Sequence, residues 1–572
     1  METNQLTQSR ISEILARVRE KNAAAQISHN TPQNTQNTPI QTAASQQVTV
    51  KFGAENFTPT GKHGNQITYN KEQQEFIDLA TSLKSSILIG AAGTGKTTCM
   101  MGAIQSLIHT GKIPPLPKEL DHKHLSPETP GIVAVSYTRR AVTNLKKAMP
   151  HGMENNCITI HKLLEYGPVF YEVYDETSGE YKNTMRFEPR RNFWNPLPPE
   201  IKTIIIDESS MVSVELFKLL LDALPHPVQF IFLGDINQLP PIFGAAILGF
   251  KMLELPVVEL TQVYRQALES PIIKYATQIR LGETTHLQMK LTEETSKGKI
   301  TFHPWKKKLS SDYALATAAK FITTALDHGA YDPANDMILC PYNKAFGTIE
   351  LNKSIANHIS KKESRKVYEI IAGFTKLYLA VGDRVLYDKE DATVVSIALN
   401  GNYLGKSPQS PSVTLDYWGH DPAANPESND STEITDIDFH LEQLAKLSGK
   451  DDERVRAASH LITVKLEDSE EEVVLDSASE LNKLLLGYAL TVHKSQGSEW
   501  NKVFLLLHQT HNTMIQRELL YTAVTRAARE LYIICEPDTF VKGVESQRIK
   551  GNTLEEKAEY FKGKLESNGG TY

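Results

Sequence analysis

From about residue 66 the chain sets short, unbroken apolar runs between stretches of helical spacing. SSILIG, GIVAVSY, TIIIDE and VQFIFLGD are such runs, with a helix expected through Leu216 to Leu224. A strand with one wet face would alternate apolar and polar residues, whereas continuous runs separated by helices predict parallel strands buried on both faces. The pattern returns in DMILCPY, a helix through Leu351, LLLGYAL, KVFLLLH, a helix through Leu519 to Thr525, and ELYIICE. An α/β fold with two tandem parallel-sheet cores follows, the first over 66–265 and the second over 266–372 and 483–540.

The other segments break this rhythm in different ways. In residues 1–27, Leu6, Ile11, Ile14, Leu15 and Val18 fall close to helical spacing among Arg and Glu, which predicts a short amphipathic helix. Such a helix either docks a protein partner or packs on its own domain. A Gln/Asn/Thr/Pro-rich tract follows, and residues 28–65 read as a flexible linker, too poor in large apolar groups to offset the entropy of ordering. Aromatic and β-branched residues flanking a Ser-Gly turn predict a β-hairpin from about Val169 to Phe187, within 165–190. Residues 373–482 read as a small β-rich insertion with an acidic helical excursion, and 541–572 as a C-terminal tail.

Length and composition narrow the class. With 572 residues, several domains are expected. Lys plus Arg number 61 against 68 Asp plus Glu, a net charge of −7, so a protein that coats nucleic acid by bulk positive charge is excluded and any such contact must be local. The four cysteines, Cys99, Cys157, Cys340 and Cys535, form no C-x-x-C pair, which speaks against a disulfide framework or zinc module. No apolar run approaches bilayer length and the N-terminal METNQLTQSR is polar, so a cytoplasmic protein with no membrane contact is expected.

Three strand ends carry chemistry. Gly90-Ala91-Ala92-Gly93-Thr94-Gly95-Lys96-Thr97-Thr98 follows SSILI and opens a helix. This G-x-x-x-x-G-K-[ST] pattern is a phosphate cradle, in which Lys96 contacts the β- and γ-phosphates of ATP and the Thr97 hydroxyl holds Mg²⁺. Asp207 and Glu208 end the apolar strand TIIIDE; after a phosphate loop, Asp207 suits Mg²⁺ and Glu208 suits the water that attacks the γ-phosphate. Gln238, in GDINQLPP, is placed to bond both γ-phosphate and water.

Taken together, GAAGTGKT, DESSM, GDINQLPP, LTQVYRQ, LTVHKSQGSEW and YTAVTRA resemble motifs I to VI of superfamily 1 helicases, in the order of the RecD-like branch, and within it the Dda-type phage DNA helicases. The resemblance covers roughly residues 66–537. It implies two RecA-like motor cores, ATP-driven 5′-to-3′ translocation on single-stranded DNA, and unwinding of fork or tailed duplex DNA by a monomer in replication, recombination or repair. An RNA helicase or remodeller of the same superfamily, or an ATP-switched recruitment component, is the alternative. Gln73 is the implied adenine reader, with Gln74 beside it, and Arg265 and Arg526 the implied γ-phosphate arginines. Strand contacts are implied at Thr138, His161, Thr491, His493 and Ser495, and at Tyr342 and Asn343 in CPYNKAF. The hairpin stands where the family carries its strand-separating pin, with Phe170, Tyr171, Tyr174, Tyr181 and Phe187 as candidate base contacts. The stretch from Gly382 to Val385, with Asn400 and Gly401, resembles the start of the family's SH3-like insertion.

Overall fold

The computed structural model describes residues 51–52, 55–56, 67–175, 180–242, 244–262, 269–284, 292–304, 310–344, 346–372, 375–388, 390–403, 415–419, 457–467 and 470–569. The expected N-terminal helix, most of the linker and most of the acidic excursion lie outside these residues. The chain forms two compact units. One comprises Met1–Leu268, Arg280–Gly282 and Gln547–Tyr572, the other Glu269–Ile279 and Glu283–Ser546.

In the first unit, β1 (Ser86–Gly90), β2 (Ile132–Ser136), β3 (Cys157–Thr159), β4 (Thr203–Asp207), β5 (Gln229–Gly234) and β6 (Val257–Leu260) form one sheet of order β6-β1-β5-β4-β2-β3. Every pairing is parallel. Successive residues of a strand face opposite sides, so one strand feeds two cores. Leu88, Ile132, Ala134, Ile205 and Ile231 pack with Phe76, Ile77, Met100 and Ile104 of the helices Lys71–Thr81 and Lys96–His109. Ile87, Val133, Ile204, Phe230 and Phe232 face the other way, onto Phe217, Leu220, Leu248 and Phe250. Both faces are covered, which is why these strands read as unbroken apolar runs.

The hairpin is an antiparallel pair, Gly167–Asp175 with Glu180–Glu188. The C-terminal residues differ from a plain tail. The helix Leu554–Ser567 belongs to the first unit and sets Phe561 edge-on to Phe250 at 5.3 Å. A Cβ on Gly249 would come within 2.2 Å of that ring, so only glycine admits the contact.

The second unit holds β7 (Thr292–Thr295), β8 (Gly298–Pro304), β9 (Met337–Cys340), β10 (Ala489–Thr491), β11 (Trp500–Leu506) and β12 (Ala527–Cys535), in the order β7-β8-β12-β11-β9-β10. All pairings are parallel except that of β7 with β8. A five-stranded antiparallel sheet runs in the order Glu472–Ser477, Ala457–Leu466, Glu390–Leu399, Arg384–Tyr387, Leu484–Leu486, over its own core of Val385, Val394, Ile462, Val464 and Leu475. This corrects the boundary expected at 482. Leu484–Leu486 pairs antiparallel with Arg384–Tyr387, so LLLGYAL is two strands in different sheets. No helix among the described residues is long and apolar enough to cross a membrane.

A buried histidine gives the second unit a pH-dependent stability. His511 is fully buried; its Nε2 lies 2.6 Å from the Phe346 carbonyl and its Nδ1 accepts from the His508 amide at 3.1 Å. Only the neutral ring satisfies both bonds, and burial first, then His508, lowers its pKa to about 4. The unfolded chain therefore takes up the proton first. The stability is whole above about pH 6.5 and declines as pH falls towards 4, by up to about 3 kcal/mol. Urea midpoints measured from pH 7.5 down to pH 4.5 check this: the wild-type midpoint should fall more steeply than that of His511→Gln, and parallel curves would contradict it.

Candidate functional site

The chemistry gathers where the strands of the first unit end, the edge at which open parallel sheets bind ligands. Strand β1 is buried along its whole length and delivers the chain into Ala91–Gly95. Gly93 and Gly95 take φ of 78° and 90°, the left-handed region that favours glycine. Lys96 folds its ammonium back into the loop, donating to the Gly90 carbonyl at 2.7 Å and the Ala91 carbonyl at 3.2 Å. Thr94 Oγ1 donates to the same Ala91 carbonyl at 2.9 Å. The first helical bond runs from Cys99 N to Gly95 O, so the amides of Lys96, Thr97 and Thr98 have no acceptor within the helix. With the helix dipole behind them they suit an anion.

Two acids stand at the end of β4, separated from β1 in the sheet by β5. Asp207 pairs in register with Ser136 of β2. Burial, then the charge of Glu208, pushes its carboxyl pKa up to about 7, with Lys96 pulling the other way. Glu208 adopts φ 47° and ψ 42°, a conformation costly for a side chain of this size. Its Oε2 is buried and has no hydrogen-bond partner among the described residues. The same is true of Ser136 Oγ, Ser210 Oγ and Gln238 Oε1, all at the carboxyl ends of β2, β4 and β5 or on the turns that leave them. Ser209 holds the acid turn by donating to the Leu233 carbonyl at 2.8 Å, and Gln238 sits on a turn closed by its amide on Asp235 O.

Gln73 and Gln74 part company. Gln73 is fully buried, joined to Asn70 in a reciprocal helix cap, and its Nε2 has no partner among the described residues. Gln74 Nε2 donates to Asp78 along the helix surface at 2.7 Å. Of the two arginines, Arg265 lies outside the described residues. In the second unit Arg526 is buried and donates only to neutral groups: the carbonyls of Thr522 and Ser498 at 3.0 Å each and Thr525 Oγ1 at 3.2 Å. Among the described residues it makes no ion pair, so a buried cation stands without counter-charge, a state that favours an incoming anion.

No cluster of three or more His, Cys, Asp or Glu able to hold a metal alone exists among the described residues. One threonine hydroxyl and one carboxylate are what Mg²⁺ takes from a protein when phosphates and water complete its shell. A carboxyl whose pKa is raised beside a partnerless one is a donor set that a divalent cation would satisfy, so Thr97 and Asp207 fit the expected ion.

The expected strand contacts carry local work of their own. Thr138 caps the helix Arg139–Lys146, accepting from Ala141 N at 3.2 Å. His161 lies edge-on to Tyr137 and Tyr166, with ring centroids 5.6 and 5.0 Å away. In the second unit Thr491 accepts from Lys494 N at 3.3 Å, and Ser495, fully buried, donates to Val492 O at 2.8 Å; that hydroxyl braces a turn. His493 is half-buried two residues after β10. Tyr342 bonds through its hydroxyl to Thr513, and Asn343 Oδ1 accepts from Thr348 at 3.0 Å. On the hairpin, Tyr171 donates to Glu188 at 2.6 Å and Phe187 is exposed, while the side chains of Phe170, Tyr174 and Tyr181 lie outside the described ones. Ser136 and Ser210 were not singled out from sequence, although Ser136 closes the apolar run GIVAVSY and Ser210 stands inside DESSM.

Residues 73–244 match the sequence model of an AAA domain, and residues 486–534 that of a UvrD-like helicase C-terminal domain. The chain is 26% identical to the ATP-dependent RecD2 DNA helicase of Deinococcus radiodurans over 69% of its own length and 42% of that protein. It is 23% identical to the RecBCD enzyme subunit RecD of Buchnera aphidicola over 82% of its length and 74% of that protein. With the ATP-dependent DNA helicase dda of Enterobacteria phage T4 it shares 30% identity over 34% of its length and 37% of that protein. The chain thus spans less than half of the RecD2 protein.

Proposed function

We propose that this chain is a superfamily 1 helicase of the RecD-like branch, a reading that the matched domain models and the RecD2, RecD and dda relatives support, and that it hydrolyses ATP to travel 5′-to-3′ along single-stranded DNA and unwinds the duplex it meets. The observation that supports this most strongly is the set of buried polar atoms that have no partner among the described residues, Ser136 Oγ, Glu208 Oε2, Ser210 Oγ and Gln238 Oε1, at the same edge of the sheet as the glycine loop. Buried groups of this kind normally find a partner, and a nucleotide triphosphate with its attacking water supplies one to each.

In this reading the unpaired Gln73 amide reads adenine. The amides of Lys96, Thr97 and Thr98 cradle the phosphates, and Lys96 exchanges its carbonyl bonds for β- and γ-oxygens. Thr97 and Asp207 hold Mg²⁺, which when bound neutralises charge on the phosphates. Glu208, held close by its left-handed backbone, orients and deprotonates the water. Gln238 changes partners as the γ-phosphate leaves, and Arg265 and Arg526 supply positive charge to it in the transition state. Such exchange at Gln238 and Arg526 couples hydrolysis to the grip on the strand.

Thr138, His161, Tyr342, Asn343, Thr491, His493 and the turn around Ser495 hold the strand by its backbone, which needs no sequence reading. The hairpin serves as strand-separating pin and the antiparallel sheet as the SH3-like insertion. Steady-state ATP hydrolysis with and without oligonucleotides tests this reading. Single-stranded DNA should raise the rate at least about tenfold, and RNA of the same length less; an unstimulated rate would remove it.

A further inference from the structure

Immediately after the hairpin, the sequence Arg190-Arg191-Asn192-Phe193-Trp194-Asn195-Pro196 builds a turn that displays two aromatic rings to solvent. Phe193 is 74% and Trp194 89% exposed. The backbone beneath them is closed in both directions, Asn192 N to Asn195 O and Asn195 N to Asn192 O, each at 3.1 Å. Asn192 Oδ1 also accepts from Trp194 N at 2.9 Å and Asn195 N at 3.2 Å, and Asn195 Nδ2 donates to Arg190 O at 3.0 Å.

Arg191 locks the turn to the body of the unit. Its guanidinium is buried and reaches Glu165 Oε2 at 2.8 Å, Asp121 Oδ2 at 3.1 Å, Pro196 O at 3.0 Å and Asn195 Oδ1 at 3.4 Å. The amides of Arg190 and Arg191 both donate to Leu164 O, at the end of the short helix that carries His161. A large apolar pair on a loose loop would fold back against the surface. Here the anchoring holds it outward, with the rings edge to face at 5.2 Å, so that ring faces stay open.

We propose that the Phe193–Trp194 turn is a base-stacking platform for single-stranded nucleic acid, fixed against the segment that carries His161; the inference rests on the single-strand binding proposed above. Charge selects this occupant. Lys123, Lys162 and Arg190 are exposed on the residues joined to the turn, whereas the acids there, Asp121 and Glu165, are taken up by Arg191. Exposed aromatics on a segment where Lys123, Lys162, Arg190 and Arg191 outnumber Asp121 and Glu165 fit a strand whose bases stack while its phosphates meet Lys and Arg. A rigid display also means that little side-chain freedom is lost on stacking.

The test is equilibrium binding of the full chain to an oligo-dT of about 20 nucleotides and to an abasic strand of the same length. Phe193→Ala/Trp194→Ala should bind oligo-dT about tenfold more weakly and the abasic strand within about twofold of wild type, and Trp194→Tyr should recover most of the loss. Thermal unfolding of the double variant should match wild type, since both side chains are in solvent. Unchanged oligo-dT affinity, as a protein-docking pair would give, overturns the platform alone. An equal loss on the abasic strand overturns it too, because stacking needs bases. A wild-type chain that binds neither strand overturns the single-strand reading as well.

Discussion

Glu208→Gln is expected to lower ATP hydrolysis by about 10²-fold or more while leaving nucleotide affinity within a few-fold of wild type. Glutamine keeps the shape and the left-handed backbone of the acid turn, but cannot take a proton from water. The wild-type carboxylate has a buried Oε2 with no partner among the described residues and adds to the burial that lifts the Asp207 pKa to about 7. Removing its charge therefore relieves a repulsion, and the folded protein should be at least as stable as before. Hydrolysis rates with a fluorescent-nucleotide titration separate the two quantities. Hydrolysis within tenfold of wild type would move the base elsewhere, and lost affinity would make Glu208 a binding residue.

Lys96→Ala should fail earlier in the cycle. The ammonium holds the Gly90 and Ala91 carbonyls at 2.7 and 3.2 Å, and is the cation that lowers the Asp207 pKa. Without it the loop loses its internal brace and the phosphates their charge partner. Nucleotide affinity should drop with the rate, the rate by about 10²–10³-fold. Circular dichroism should be unchanged, because alanine favours the first turn of the helix Lys96–His109. The two variants thus differ in kind: one binds and does not cleave, the other does neither. Equal nucleotide affinity in both would contradict the roles assigned.

Local features of the chain were legible. Ser86–Gly90, Ile132–Ser136 and Thr203–Asp207 are buried on both faces, and a strand so placed has no polar position to hide. The phosphate loop is equally local, since its glycines and Lys96 act within one turn. What resisted reading depends on partners distant in sequence. Leu484–Leu486 and Ala489–Thr491 look like one run, yet Arg384–Tyr387 claims the first and β9 the second. Nothing in Phe561 announces that it will pack against Gly249. Ser136 and Ser210 are commonplace until neighbouring strands bury their hydroxyls, and Arg191 becomes an anchor only through Asp121 and Glu165. Capping bonds at Thr138 and Thr491 came from the same gap: a motif marks a segment, whereas the hydroxyl's partner is set by the turn.

Unwinding of duplexes bearing either a 5′ or a 3′ single-stranded tail, followed in real time by strand separation, tests the central claim most directly. The wild-type chain with ATP and Mg²⁺ should open the 5′-tailed duplex and leave the 3′-tailed one closed, and Glu208→Gln should open neither. Opening of the 3′-tailed duplex alone, or of neither by the wild type under conditions where single-stranded DNA accelerates its ATP hydrolysis, would contradict a 5′-to-3′ DNA helicase.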